Sequence, residues 1–226
     1  MEEADFLSQI ALELNAELTM QSTAELITEY ARITTTADDS GLLFMRTHRS
    51  IETVAATSDR VRELHQTQLD LDEGPCLAAI REDTSYLVED TESDDRWPTW
   101  GPLAAQLGVR SALCIRLESI TRTYGALNLY AESAGAFSEA DVTIAQNFAR
   151  HASVALSTAY VKEGLQIAID ARTFVGQAQG ILMGRYGITA DRAFDYLRRR
   201  SQQENVKLGD IAHDVIEKIP EGPLEA

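Results

Sequence analysis

Hydrophobic residues change their spacing several times along the first two thirds of the chain. Apolar positions at helical spacing over residues 5–31 predict an amphipathic helix. Short apolar runs bounded by turn residues then predict strands, with short helices between them. The strands are expected at 41–47, 51–57, 86–90, 111–117 and 124–131, and the helices at about 59–69 and from Pro75 onward. Strand pairs with local helices predict an α+β fold with an antiparallel sheet.

A long helix is predicted after the last strand, because no proline interrupts residues 138–186. Ser138 and the acidic residues that follow it suit a helix N-terminus, and about 49 residues at 1.5 Å each extend roughly 73 Å. Two apolar seams with mostly seven-residue spacing run along it: Leu165, Ala168, Val175 and Leu182, and Ile167, Phe174 and Ile181. We expect one seam to pack within the C-terminal part and the other to pair with a second copy as a short coiled coil, which gives a homodimer. The alternative is a break near Gly164, since glycine disfavours helix.

Three helices are predicted to form an all-α module at the C-terminus: the end of the long helix to about Tyr186, then about 190–203 and about 207–218. Gly187 suits the stop of the first helix, and Thr189 suits the N-cap of the second. Apolar residues at helical spacing are expected to form the core between them. They are Ala193, Phe194 and Leu197 on the second helix, and Leu208, Ile211, Ala212, Val215 and Ile216 on the third.

Charge divides the chain into two parts. The net charge of the 226 residues is −16, but residues 1–161 carry 11 Lys and Arg against 26 Asp and Glu, a net of −15, whereas residues 162–220 carry 9 against 8, a net of +1. Because the acidic part repels phosphates, nucleic acid is expected to contact only the C-terminal part. No apolar stretch is long enough for a membrane span, and the acidic N-terminus lacks the basic region of a secretory signal. With two cysteines that suit reduced thiols, these features favour a cytoplasmic protein.

Four motifs follow one another in the C-terminal part: V-G-Q-A-Q-G-I-L-M from residue 175, A-F from 193, L-R-x-x-S from 197 and K-L-x-D-I-A from 207. In this order they resemble the ANTAR family, small three-helix RNA-binding modules that control transcription termination. The resemblance implies binding to paired RNA hairpins, with one hairpin for each module of a dimer. Hairpins held in this way would prevent a terminator from forming, so that transcription continues.

Candidate RNA contacts remain once the core positions are assigned. Gly176, Gly180 and Gly184 lie on one helix face, which admits either a neighbouring helix or an RNA loop. Glutamine suits base edges, arginine suits phosphate, and tyrosine suits stacking on an unpaired base. The resemblance adds Arg198 and Ser201 of the L-R-x-x-S motif and Lys207 before the third helix. The chain departs from the family at Gln179, where many family members have lysine. The candidate set is Gln177, Gln179, Gly180, Met183, Arg185, Tyr186, Arg198, Arg199, Ser201 and Lys207.

Six landmarks of the N-terminal part resemble the GAF domain in their order: E-G-P-C, V-E-D-T, D-D-R-W-P, G-V-R-S-A-L-C-I-R-L, Y-G-A-L-N-L-Y-A and A-F-S-E-A-D. The resemblance covers roughly residues 7–158. Family members bind cyclic nucleotides, haem, tetrapyrroles or small metabolites, and some only dimerise, so it implies a sensor and leaves its small-molecule ligand open. We expect a sensor domain at 1–160, an RNA-binding domain at 161–220 and a tail at 221–226.

Catalysis is not expected, because no phosphate-binding glycine loop, metal-ligand cluster or nucleophile elbow occurs. No cofactor is assigned: His48 and His65 are the candidates for haem ligands in a pocket, but surface or hydrogen-bonded histidines are the usual case. Some GAF relatives reduce free methionine sulfoxide with several cysteines, whereas this chain has two. Cys114 is expected in the core, and Cys76, at a predicted helix start, is either a redox or ligand residue or a structural one. Trp97 is expected to wall the core or a pocket.

The leading hypothesis is a dimeric RNA-binding antiterminator that holds tandem hairpins under the control of a GAF sensor. A DNA-binding regulator is the first alternative, and the acidic residues of the third C-terminal helix disfavour it as a major-groove reader. The second alternative is a GAF-based redox or ligand sensor that does not bind RNA.

Overall fold

The computed structural model describes residues 9–218 apart from Ala11, Asn15, Leu18, His48, Arg49, Asp83 and Thr121. Its helices are α1 (Met20–Ile33), α2 (Asp59–Leu71), α3 (Pro75–Arg81), α4 (Trp100–Gln106), α5 (Glu139–Tyr186), α6 (Ala190–Glu204) and α7 (Leu208–Glu217). Its strands are β1 (Asp39–Thr47), β2 (Ser50–Ala56), β3 (Tyr86–Val88), β4 (Ser111–Glu118) and β5 (Thr123–Ala131). The chain divides into an N-terminal unit, Met1–Val161, and a C-terminal unit, Lys162–Ala226.

The strands form one sheet in the order β2-β1-β5-β4-β3, and all neighbouring strands are antiparallel. Successive side chains alternate between its two faces, as strand geometry requires. On β4, Leu113 and Ile115 join one hydrophobic cluster, whereas Ala112 and Cys114 join another. The predicted α+β fold with an antiparallel sheet is therefore confirmed.

Helices cover both faces of the sheet. On one face, α1 and the first part of α5 pack against the strands, with Ile27, Phe148 and Ala152 among the buried residues. On the other face, α2, α3 and α4 supply Leu64, Cys76 and Trp100 to a second cluster. Two apolar layers thus enclose the sheet, and the second holds the residues of chemical interest.

The single helix predicted over residues 5–31 is wrong in its extent. Residues 5–8 lie outside the described part of the chain, and a separate helix, α1, begins at Met20. Thr19 has extended backbone angles, and its hydroxyl accepts a hydrogen bond from the Ser22 N–H at 3.1 Å. This N-cap starts a new helix within a stretch whose apolar spacing alone looks continuous.

The long helix is confirmed, with bounds Glu139–Tyr186 and no interruption at Gly164. The alternative of two shorter helices is therefore wrong. Ser138 and Asp141 cap its start reciprocally: the Ser138 N–H donates to the Asp141 carboxylate at 2.9 Å, and the Asp141 N–H donates to the Ser138 hydroxyl at 3.2 Å. Within the described residues no helix, α5 included, combines the length and the apolar character that crossing a membrane requires.

The C-terminal unit is a three-helix module made of the end of α5 with α6 and α7. Its buried core comprises Ala178, Leu182, Ala193, Leu197, Ile211, Ala212 and Val215. Gly187 adopts φ 63°, which suits glycine, and its N–H donates to the Met183 carbonyl at 2.9 Å to end α5. The Thr189 side chain accepts from the Arg192 N–H and starts α6, as predicted.

Phe194 is the exception among the predicted core residues, because 36% of it is exposed. Ala193 and Leu197, four residues apart, face the core of the module. Phe194 lies about 100° around the helix from Ala193 and turns toward solvent. Tyr196 packs partly against the core instead.

Candidate functional site

A row of glycines leaves one face of α5 bare. Gly176, Gly180 and Gly184 are exposed and recur every four residues, so they lie on one side of the helix. A methyl group added to any of them would have no heavy atom within 4 Å outside the adjoining helix backbone. The alternative that this face packs closely on a neighbouring helix is therefore wrong for the described part of the chain. The face is open to a partner.

Three exposed side chains belong to the same part of α5: Gln177, Met183 and Arg185. Gln177 and Met183 offer an amide and an apolar thioether beside the bare backbone, whereas Arg185 offers a cation from another side of the helix. The Arg185 guanidinium lies 6.0 Å from the ring centroid of Tyr186, and that ring packs partly against the core of the module. Tyr186 therefore has only part of its surface available for stacking.

Two candidate RNA contacts hold the module together in the structure. The Gln179 amide donates to the Ala190 carbonyl at 3.1 Å, which joins α5 to the start of α6. The Ser201 hydroxyl donates to the Val206 carbonyl at 2.6 Å in the turn between α6 and α7. Any RNA contact by these two side chains competes with, or adds to, a structural hydrogen bond.

The three successive arginines of α6 have different surroundings. Arg198 is exposed and pairs with Asp195 at 2.8 Å, and Arg199 is exposed. Arg200 is more enclosed and bridges Glu204 and Asp214, each at 2.6 Å. Arg198 and Arg199 thus form a cationic surface, whereas Arg200 ties α6 to α7.

The exposed Lys207 precedes α7 and is its N-cap residue. Its carbonyl accepts hydrogen bonds from the N–H groups of Asp210 and Ile211 at 3.0 and 3.1 Å. The backbone of Lys207 therefore starts the helix, while its exposed side chain is placed to meet an anion.

The two cysteines meet on the sheet face that α2, α3 and α4 cover. The sulfurs of Cys76 on α3 and Cys114 on β4 are 3.3 Å apart, and both residues are fully buried. The Cys76 sulfur accepts a hydrogen bond from the Gln68 amide at 2.8 Å and lies 3.2 Å from the Tyr130 hydroxyl oxygen. Gln68 also accepts from the Cys76 N–H at 2.9 Å, so it holds both the backbone and the sulfur of that residue.

Burial raises the pKa of two groups in this cluster, Cys114 and Tyr130. It raises the pKa of the Cys114 thiol well above its ordinary value, and the adjacent Cys76 adds to that effect. Burial likewise raises the pKa of Tyr130, so its hydroxyl keeps its proton at neutral pH. Cys114 is a core residue, as predicted, and its sulfur lies against that of Cys76, for which the sequence leaves a redox role open.

A buried histidine lies on the same face of the sheet. The two ring nitrogens of His65 lie 3.1 Å from the Thr53 hydroxyl and 3.1 Å from the Asn128 amide nitrogen. Burial, assisted by the charge of Arg62, lowers the pKa of His65 to about 3, so the ring is neutral at physiological pH. The other histidine considered for a pocket, His48, lies outside the described residues.

Trp97 forms part of the wall of this core. It is 6% exposed and belongs to the same hydrophobic cluster as Cys76. Its ring meets Tyr86 edge-on at 5.3 Å between centroids, and the Arg96 guanidinium lies 4.5 Å from its centroid. Cation–π and edge-to-face contacts of this kind fix an aromatic ring in place.

Two family models match the chain, one for each unit. The GAF domain model matches residues 17–157, and the ANTAR domain model matches residues 163–216. The chain belongs to the GAF domain family and carries a C-terminal ANTAR domain. Because GAF domains are sensors and ANTAR domains bind RNA in antitermination, the chain is a regulator of the RNA-binding kind. The glycine face and the α6 arginines therefore lie on the ANTAR module, and the cysteine pair lies in the GAF domain.

Solved structures share the GAF fold. The GAF domain of a phosphoenolpyruvate-protein phosphotransferase from Acinetobacter matches with a TM-score of 0.57 at 13% identity, over 73% of this chain and 98% of that chain. Its counterpart from Coxiella burnetii matches with a TM-score of 0.57 at 17% identity, over 71% and 96%. The chromophore-binding domain of a bacteriophytochrome from R. palustris matches with a TM-score of 0.53 at 10% identity, over 70% and 62%, so this chain spans less than two thirds of it. Identities this low show the fold alone, and no curated protein gave a match.

Gln68 and Tyr130 are the members of the GAF core that the sequence did not single out. The alternation of the strands could have placed Tyr130 beside Cys114, because both lie on the face of the sheet that packs against α3. The proximity of Cys76 to that face depends on tertiary packing, which spacing along the chain does not encode.

Proposed function

We propose that the protein is a dimeric transcription antiterminator whose ANTAR modules bind paired hairpins in nascent RNA under the control of the GAF domain. The observation that carries the proposal is the open glycine face of α5. Helices seldom keep three exposed glycines in one row, since each destabilises the helix by about 1 kcal/mol relative to alanine. A face without side chains allows a ligand backbone to approach closely, and RNA hairpin loops present such a backbone.

The exposed side chains of this part of α5 suit an RNA loop. Gln177 offers donors and acceptors for base edges, Met183 an apolar contact for a base, and Arg185 a cation for phosphate. The exposed Arg198 and Arg199 supply further phosphate contacts from α6. The proposed surface is completed by Lys207, Tyr186, Gln179 and Ser201. Gln179 and Ser201 would contact RNA through atoms that also hold the module together.

A row of exposed apolar side chains on one side of α5 supports dimerisation. Val154, Val161, Leu165 and Ile169 are each more than half exposed and lie on this side, whereas the similarly exposed Ile167 lies on the opposite side of the helix. Other members of the predicted seams are not available, because Leu182 is buried in the ANTAR core and Phe174 packs against it. Fully burying one such aliphatic side chain contributes about 1.5–3 kcal/mol, so a second copy is the proposed partner of the exposed row. Two tethered modules then gain avidity on two suitably spaced hairpins.

The GAF domain is proposed as the control element. A small molecule changes the activity of the protein only if it binds two states of the chain with different affinity. The buried polar groups of the GAF core give such a ligand partners: Trp100 Nε1 and Asn128 Oδ1 make no hydrogen bond with any described residue. Regulation without catalysis, and a cytoplasmic location, are parts of the same proposal.

The decisive experiment measures binding of the full chain to a tandem-hairpin RNA, to a single hairpin and to duplex DNA at one fixed salt concentration. We expect the tandem RNA to bind most tightly. Gly180→Ala is the informative variant, because its new methyl group meets no atom of the chain and should raise helix stability by about 1 kcal/mol. If the RNA backbone approaches this face, the same variant loses RNA affinity by at least about tenfold.

Gly164→Ala is the matched control, since it lies in the same helix and also meets open space. It should gain stability to a similar extent and keep its RNA affinity. RNA affinity that is unchanged in Gly180→Ala would remove the glycine face from the proposal. Equal binding of all three nucleic acids, or a preference for duplex DNA, would contradict the antiterminator function itself.

A further inference from the structure

The GAF core contains a feature that RNA binding does not use: two buried thiols in contact. The sulfurs of Cys76 and Cys114 are 3.3 Å apart, although 38 residues separate them in the chain. A disulfide bond is about 2.05 Å long, so the two sulfurs must approach by only a little more than 1 Å to bond. They lie on different elements, one on α3 and one on β4.

The two sulfurs have different surroundings. Cys76 Sγ accepts a hydrogen bond from the Gln68 amide and lies in reach of the Tyr130 hydroxyl. A donor directed at a sulfur stabilises the negative charge that the sulfur carries while it acts as a nucleophile. Cys114 lies on a strand flanked by β3 and β5, and Cys76 is the thiol neighbour that its sulfur contacts. Cys76 is therefore placed to react first and Cys114 to react second.

A backbone feature fixes the Gln68 side chain against Cys76. Gly74 precedes α3 with φ 143°, and a Cβ at this position would collide with the Gln68 side chain. Glycine thus leaves the space in which the Gln68 amide reaches the sulfur and the N–H of Cys76. The Gln68 side chain thus helps to hold the first turn of α3, which carries the nucleophile.

We propose that Cys76 and Cys114 form a reversible dithiol–disulfide couple that responds to small hydroperoxides such as hydrogen peroxide. The Cys76 thiolate attacks one peroxide oxygen, the O–O bond breaks, and the departing oxygen leaves as water with the proton that the thiol released. The resulting sulfenic acid is attacked by the Cys114 sulfur; the S–O bond breaks, and the oxygen leaves as a second water with the Cys114 proton. In total, two thiols and one hydrogen peroxide give one disulfide and two waters, and the two electrons lost by sulfur reduce the peroxide.

Burial defines the class of oxidant. Neither cysteine has any exposed surface in the structure, so a large disulfide such as oxidised glutathione cannot reach a sulfur without opening the domain. Hydrogen peroxide is small and uncharged and needs only a local displacement of α3, a helix of seven residues. After bond formation the Cys76 sulfur is bonded to Cys114, so its contacts with the Gln68 amide and the Tyr130 hydroxyl change, and with them the contact of α3 with the sheet.

The test treats the 226-residue chain with hydrogen peroxide, blocks the remaining thiols under denaturing conditions, and maps the peptides without reduction. We expect the chain to lose two hydrogen atoms, both thiols to disappear together, and one cross-linked peptide to contain Cys76 and Cys114. Dithiothreitol should restore both thiols. Oxidised glutathione at the same concentration should leave the folded protein unmodified. The readout does not involve RNA, so its failure is distinct from failure of the antiterminator function.

Two variants assign the order of the steps. Cys114→Ala should stop the reaction at a Cys76 sulfenic acid, which a dimedone label captures, and Cys76→Ala should leave Cys114 unoxidised. Separate oxidation of the two cysteines in the wild-type protein, a disulfide between two chains, or no loss of thiols would each overturn the proposal. Rapid formation of a glutathione mixed disulfide on the folded protein would do so as well, because it requires open access to a sulfur. The wild-type peptide map decides the matter even where a variant folds poorly.

Discussion

The side-chain amide of Gln179 donates a hydrogen bond of 3.1 Å to the carbonyl of Ala190 and so ties α5 to the first residue of α6. We expect Gln179→Ala to lower the free energy of unfolding of the ANTAR module by about 1 kcal/mol, because it removes one hydrogen bond between helices. Gln177→Ala is the control, since Gln177 is exposed on the same helix and its loss should leave stability within about 0.5 kcal/mol. Urea denaturation of the two variants measures the difference. Equal stability losses would contradict a structural role specific to Gln179.

Gln179→Lys separates the two roles of this position. The variant loses the hydrogen bond to Ala190 and gains the cation that resembles the family pattern. We expect lower stability but tighter RNA binding, with the dependence of log affinity on log salt steeper by about 0.7 to 0.9. An RNA titration at several salt concentrations checks this, and an unchanged slope would show that position 179 does not meet phosphate.

Arg198 and Arg200 are two residues apart but should respond differently to mutation. Arg198 pairs with Asp195 at the surface, so Arg198→Ala should change the stability by less than about 1 kcal/mol while weakening RNA binding in a salt-dependent way. Arg200 bridges Glu204 and Asp214 between α6 and α7. Arg200→Ala should therefore destabilise the module by about 1 to 2 kcal/mol through the loss of charge-assisted bonds. Thermal unfolding and RNA titration of both variants make the comparison, and the reverse pattern would contradict it.

The exposed apolar row on α5 makes the dimer testable. Leu165 is 61% exposed, and Leu165→Glu should shift the protein toward monomer, because a second copy would have to bury the new charge. Ile120, fully exposed after β4, provides the control: Ile120→Glu should leave the oligomeric state unchanged. Light scattering at micromolar concentration measures both variants and the wild type. A wild-type monomer, or a Leu165→Glu dimer of unchanged stability, would exclude this row as the interface.

His65 gives the GAF domain a specific pH dependence. Its folded-state pKa of about 3 lies below the ordinary value of 6.5, so between these values the unfolded chain binds a proton that the folded chain does not. The free energy of unfolding therefore decreases as the pH falls from 6.5 toward 3, by up to about 1.4 kcal/mol per pH unit.

His65→Gln should remove this slope, whatever its effect on stability at pH 7. His151→Gln, at an exposed position of α5, serves as the control and should keep the wild-type slope. Urea denaturation at pH 7, 6 and 5 compares the three proteins. A slope that persists in His65→Gln would mean that other groups carry the pH dependence.

The alternation of the strands explains why the sheet was predictable. On β4, apolar residues occupy every position between Ser111 and Ile115, yet Leu113 and Cys114 bury into opposite clusters. Such a run, bounded by turns, has few alternatives to a strand covered on both faces. The long helix was predictable for a different reason: neither proline nor a strong cap occurs within it.

The errors come from contacts that spacing does not record. The cap at Thr19 divides a stretch whose apolar positions fit one helix, and Phe194 is apolar but lies beside the core positions of α6. The sequence left two alternatives for the glycine row, and only the positions of the other helices decide between them. The chemistry of Gln179 and Ser201 predicts contacts with RNA, while their bonds to backbone carbonyls depend on how the helices meet.

Because side chains alternate along β4, contact between the two thiols also depends on the correct register of β4 against β5. Sliding β4 by one position against β5 would invert its side chains, and the sulfur of Cys114 would then lie beneath α1 and α5, on the far side of the sheet from Cys76. The two sulfurs can meet only when the strand has settled in its native pairing with β5. In a refolding chain, formation of the Cys76–Cys114 cross-link therefore reports when β4 has paired with β5 in the native register.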